Sequence, residues 1–214
     1  MELASAMTAA ILLVRVYHTD PSFATNVRAA QIDATAVLRD AGVAVAWIDC
    51  ASGSETSDDR CAQPLGPFEV VVRVMESNPL EPWSPRATLG NSLVTPRSRD
   101  LPRFATVYSD RAAETADAAE VARSQVLGWA MAHEIGHLLL NNARHSTKGL
   151  MRAHWSHTEL TQNRKSDWSF VTRDARAMRA AMAMRAAVAA AAAAGGNPTT
   201  ASQGPQPPAP RNHS

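Results

Sequence analysis

The spacing of apolar positions changes several times along the chain, and each change predicts an element. AILLVRVY (10–17) is a continuous apolar, β-branched run and predicts a first strand. Residues 23–41 place Val27, Ala30, Ile32, Ala34, Val37 and Leu38 near helical spacing, and Gly42 follows as a stop. VAVAWIDC (43–50) and FEVVVRVME (68–76) predict two further strands. The proline-rich stretch NPLEPWSPR (78–86) excludes regular structure. ATLGNSLVTP (87–96) and FATVYSD (104–110) predict two short strands joined by a polar loop. Residues 111–140 are helical in pattern, broken or weakened near Gly128, and a closing helix is expected over about 171–193. The order predicts an α+β (mixed α/β) fold in which a long helix packs across a mixed sheet.

The ends differ from this middle. GGNPTTASQGPQPPAPRNHS (195–214) is poor in apolar residues and rich in Pro, Gly and Ser, so it is expected to be a disordered tail. Residues 1–9 read either as the remnant of an export signal or as the lead into the first strand. LASAMTAAILLV has the length of a signal core, but Glu2 stands where a positive charge belongs. One domain over 10–194 is therefore expected.

Composition narrows the partners. The chain has 214 residues, 45% hydrophobic and 19% charged, and is large enough for one well-buried core. A net charge of +1 gives no electrostatic case for nucleic acid. No stretch reaches the roughly 18 uninterrupted apolar residues of a membrane span, and a monomer is expected. Cys50 and Cys61 flank the polar segment ASGSETSDDR; a disulfide closing it fits a secreted or periplasmic protein, and two free thiols fit a cytoplasmic one.

HEIGHLLLNNARHSTKGLM (133–151) carries the chemistry. In H-E-x-x-H on a helix, His133 and His137 project from one face and can share a metal. Glu134 is turned aside, where its carboxylate serves as general base toward the water that a zinc ion activates. A catalytic zinc takes three protein ligands, and His145 is the nearest third candidate. Reaching the metal from there requires a sharp turn, and Asn141 and Asn142 are suited to a left-handed turn residue.

The segment resembles the metzincin clan of zinc peptidases, whose pattern HExxHxxGxxH is followed by a methionine-containing turn. His133, Glu134 and His137 match by position, and His145 matches with two extra residues before it. Met151, in GLM at 149–151, is similar to the Met-turn residue of matrixin-like members. The resemblance implies a twisted, mostly parallel sheet with an antiparallel edge strand, packed by two long helices, and a short C-terminal subdomain with one helix. It also implies a zinc-dependent endopeptidase acting on a peptide or protein laid along the edge strand, with Leu89, Gly90, Asn91 and Ser92 as candidate substrate-binding residues.

Two alternatives stay open. Glu159, 22 residues past His137, could replace His145 as third ligand in a glutamate-type zinc peptidase. The metal could instead be structural in an interaction module, closed by His154 or His157 as a fourth ligand. His18 and His213 are expected to be ordinary surface histidines.

Overall fold

The computed structural model describes residues 10–18, 24–50, 58–77, 88–95 and 101–195. The N-terminal segment 1–9, the proline-rich stretch 78–86 and the tail 196–214, with His213, lie outside the described residues. The described chain runs through β1 (Ile11–His18), α1 (Ala24–Asp40), β2 (Ala44–Asp49), β3 (Glu69–Met75), β4 (Gly90–Ser92) and β5 (Phe104–Tyr108). Helices α2 (Ser109–Ala118), α3 (Arg123–Leu140), α4 (His157–Gln162) and α5 (Thr172–Gly195) follow.

The strands form one sheet in the order β2-β1-β3-β5-β4. β1 pairs in parallel with β2 and β3, and β3 with β5; β4 alone is antiparallel, on the outer side of β5. The mostly parallel sheet with an antiparallel edge strand expected from the metzincin resemblance is present. Leu12, Val14 and Val16 alternate along β1 and Val70, Val72 and Val74 along β3, all fully or almost fully buried. With a side-chain period of two, these triplets share one face of the sheet. Val27, Ala30, Ala34 and Leu38 of α1 join them in a single core with Met131, Ile135 and Leu138 of α3.

α3 is buried at every position from Val126 to Leu139. A helix apolar all round belongs inside a molecule, and α3 fills that place between α1, α2, α5 and the β4–β5 edge. The expected break at Gly128 is absent: α3 runs through it. A Cβ there would lie 2.6 Å from Ala30 O and 2.7 Å from Asp33 Cβ, so the missing side chain is what admits α1. The interruption of the 111–140 stretch falls earlier, between α2 and α3, where Glu120 takes φ 55° and the Val121 N–H donates to Ala116 O (3.0 Å).

Two other boundaries differ from expectation. Ser109 and Asp110 open α2 rather than extend β5. β4 is three residues long because the Val94 N–H folds back to Ser92 O (3.0 Å) and ends the strand. α5 begins at Thr172, as the pattern predicts. By length and composition alone Lys165–Ala194 is apolar enough to cross a membrane. Within it, Met178, Met182 and Arg185 are buried in the domain, and Arg185 donates to Pro67 O (2.8 Å) and Pro102 O (3.0 Å).

Cys50 and Cys61 form a disulfide at the end of β2, the sheet edge opposite β4. The Tyr17 hydroxyl donates to Cys61 O (2.8 Å), tying that loop to β1. His18 is buried, 4% exposed, with Nε2 3.2 Å from Asp49 Oδ1. The expectation of a surface histidine fails there because β1 carries the ring inward beside the C-terminal end of β2.

Candidate metal centre

α3 supplies the first part of the site. His133 and His137 are one helical turn apart on a buried helix, and their Nε2 atoms lie 3.0 Å from each other. Each ring is fixed from behind. His133 Nδ1 lies 2.9 Å from Leu150 O, and His137 Nδ1 lies 2.8 Å from Asn142 O. Carbonyl oxygens only accept, so both Nδ1 atoms carry the proton and donate it, and a neutral ring then presents a bare lone pair at Nε2. Burial holds His133 at about 3, with its two histidine neighbours pushing the same way against the Leu150 hydrogen bond. Burial also lowers His137. Two lone pairs facing each other across 3.0 Å repel unless a cation lies between them. The donor set therefore fits a metal ion, and orienting carbonyls behind ligating imidazoles are the usual support for one.

The loop after α3 brings the third imidazole. Asn141 ends the helix in the left-handed region, φ 47°, and its N–H donates to His137 O. The Asn142 side chain accepts from the Arg144 N–H and turns the chain back. The Asn141–Asn142 turn is thus where the sequence places it. His145 returns over the helix, with ring centroids 5.4 Å from His133 and 5.0 Å from His137. One ligand nitrogen from each of the three rings lies within 4.8 Å of the others.

Met151 is buried against α3. A Cβ on Gly136, between the two helical histidines, would lie 2.8 Å from Met151 Sδ and 2.6 Å from Phe170 Cε1. Glycine at 136 is what lets the methionine and the phenyl ring approach the backbone of the motif.

The edge strand meets Glu134. Ser92 Oγ donates to Glu134 Oε2 (2.6 Å) and lies 2.9 Å from Glu134 O. A Cβ on Gly90 would fall 2.9 Å from Glu134 Oε1 and 2.6 Å from Thr106 O, so that position admits no side chain without movement. Burial pushes the Glu134 carboxyl up to about 7, opposed by the Ser92 hydrogen bond. Residues 89–92 all line the same cleft of about 300 Å³ as Glu134 and the three histidines. Two of the four expected substrate residues, Gly90 and Ser92, thus touch Glu134 itself, a contact between distant segments that the sequence gives no sign of.

The other candidates are placed elsewhere. Glu159 Oε2 accepts from the Ser156 N–H and Oγ (2.8 Å each), and its Oε1 lies 3.2 Å from Arg152 Nε. One oxygen caps α4 and the other is paired with Arg152, and Glu159 does not join the histidines. The signal was readable as the capping-box pattern Ser156-x-x-Glu159. His154 lines the cleft and His157 opens α4; both are exposed, and neither belongs to the convergent trio. Sequence reasoning also missed an aromatic support. Trp129 stacks on Trp168 at 3.6 Å, and Trp155 stands edge-on to both and to His133.

No family model matches the sequence, and no curated protein matches it. Among solved structures the chain is similar to archaemetzincin from Methanopyrus kandleri, with 12% identity and a TM-score of 0.49 over 83% of this chain and 99% of that one. It is also similar to a zinc-dependent peptidase from Methanocorpusculum labreanum, with 14% identity and a TM-score of 0.48 over 77% of this chain and 99% of that one. The functional reading therefore rests on the chain's own site.

Proposed function

We propose that this chain is a zinc-dependent endopeptidase of metzincin type. His133, His137 and His145 hold the metal, and Glu134 is the general base. The observation that carries the reading is the pair of Nε2 lone pairs held 3.0 Å apart by carbonyls behind each ring, with a third imidazole and a buried carboxylate in the same cleft. Soft-to-borderline nitrogen donors in a three-histidine set suit zinc. When bound, zinc supplies Lewis-acid chemistry, acidifying a water and polarising a carbonyl.

The protein's own groups do the rest. Glu134 Oε1 takes the proton of the attacking water and returns it to the leaving amine, while Ser92 holds Oε2. A carboxyl with a value near 7 is suited to both halves of that exchange at neutral pH. The substrate lies along β4. Leu89 accepts from Tyr108 N (2.8 Å) and Leu93 donates to Phe104 O (2.8 Å), so the odd-numbered residues bond inward to β5. Antiparallel alternation then turns the main-chain groups of Gly90 outward, where an extended peptide can add as a further strand. Met151 serves as the Met-turn residue, an apolar floor beneath the imidazoles. The Cys50–Cys61 disulfide supports residence in an oxidising, secreted or periplasmic setting.

The absence of a fourth convergent ligand among the described residues favours this reading over a closed structural site. The test is cleavage of an unstructured protein substrate by zinc-loaded chain. Cleavage lost on chelation, restored by zinc and absent from Glu134→Gln is expected. Equal cleavage by parent and Glu134→Gln would overturn the assignment of the base.

A further inference from the structure

We propose that Asp174, in the first turn of α5, is a positioning residue for the metal centre: through Ser146 it holds His145 in reach of His133 and His137. The inference rests on the three-histidine reading above. His133 and His137 are fixed twice over, by a buried helix and by a carbonyl behind each ring. His145 has neither support. It is exposed in the loop after α3, and among the described residues no hydrogen bond fixes its ring.

What is fixed is its neighbour. The Ser146 N–H donates to Met151 O (2.7 Å), and Ser146 pairs in a parallel bridge with Arg152. Its hydroxyl donates to Asp174 Oδ2 (2.9 Å). A serine hydroxyl has one proton to give, so this contact sets the rotor. Asp174 is 5% exposed, and its second oxygen lies 3.1 Å from Arg173 Nε. A carboxylate is costly to bury unless it is hydrogen-bonded, and here its hydroxyl partner is the half-buried residue next to the third histidine. The Leu150 N–H also donates to Ser169 O (2.9 Å), just before α5. The approach to α5 and its first turn thus hold both ends of the returning segment. Consecutive Cα atoms are about 3.8 Å apart, so a fixed Ser146 leaves the His145 backbone little room to move.

The experiment compares zinc affinity, by competition with a chromophoric chelator, and the visible spectrum of the cobalt(II)-substituted chain. The variants are Asp174→Ala, Asp174→Asn, Ser146→Ala and the double alanine. Outer supports of ligands typically contribute about 10- to 100-fold in metal affinity, and each single alanine variant is expected to lose that much. The double variant is expected to match the singles within about twofold, since both cut one link. Asp174→Asn keeps an accepting oxygen and should retain most of the affinity. The cobalt bands of the alanine variants should weaken as a nitrogen donor is lost.

A purely structural Asp174 would lower the melting temperature of the metal-free protein and leave affinity and cobalt spectrum at parent values. That result overturns the proposal, as do losses that multiply in the double variant. If Asp174→Ala does not fold, Ser146→Ala severs the same link from the exposed loop and carries the test. His145→Ala separates the two levels. Zinc lost there but kept at parent affinity in both Asp174→Ala and Ser146→Ala sinks this proposal alone; zinc kept in His145→Ala sinks the three-histidine reading and this proposal together.

Discussion

The two halves of the site are built in opposite ways. His133, Glu134 and His137 stand on a helix buried from Val126 to Leu139, and the 3.6-residue period brings the two imidazoles to one face, where a carbonyl behind each ring fixes it. His145 and Met151 come from a segment with little regular structure, held by contacts from Ser169 and Asp174 that are remote in sequence. A motif on a helix specifies its own geometry. A ligand on a loop borrows its geometry from whatever the loop is tied to, so it tolerates a changed spacing provided the ties remain.

Substitutions in the helical half should separate chemistry from metal binding. Glu134→Gln is expected to keep zinc and lose about 10²- to 10⁴-fold in hydrolysis, measured as kcat on a peptide alongside metal content. Loss of zinc in that variant would mean that Glu134 is a ligand.

The same carboxylate should show in the metal-free protein's stability. Its value is raised from 4.5 in the unfolded chain to about 7 by burial. The folded state therefore binds the extra proton between those values, and the stability it contributes is full below pH 4.5 and lost as pH rises through about 7. His133, held down at about 3, acts with the opposite sign, favouring the folded state as pH rises toward its ordinary 6.5. Parent and Glu134→Gln share the histidines, so their difference isolates the carboxyl. Denaturant titrations should show the glutamine variant gaining on the parent by up to about 3 kcal/mol between pH 4.5 and 8. A difference flat with pH would contradict the buried carboxyl.

Gly136→Ala tests the contact between the halves. A Cβ there collides with Met151 Sδ and Phe170, so a loss of about 1–3 kcal/mol with weakened zinc is expected in melting and metal-competition assays. Ser156→Ala should have the smallest effect. It removes the α4 cap, costs about 1 kcal/mol, and leaves zinc content unchanged because Glu159 belongs to the cap.

How much was legible in the sequence follows the same division. β1, α1 and β3 were readable because each buries a continuous or periodic apolar set, and β2 because its apolar run is continuous in sequence although only Ile48 is buried. The helical histidines were readable because their spacing is their geometry. The Asn141 turn was readable from residue chemistry at one position. Gly128 misled because a helix breaker and a helix contact have the same letter, and only α1 packed against it distinguishes them. Gly90 and Ser92 against Glu134, the tryptophan trio that meets His133 through Trp155, and Asp174 on Ser146 are all pairings between distant segments. Nothing local in the chain encodes them.

The most direct test of the account is zinc content per chain after dialysis, for the parent and His145→Ala side by side. The account predicts one zinc per parent chain and nearly none in the variant. No zinc in a folded parent, or equal zinc in both, would contradict it.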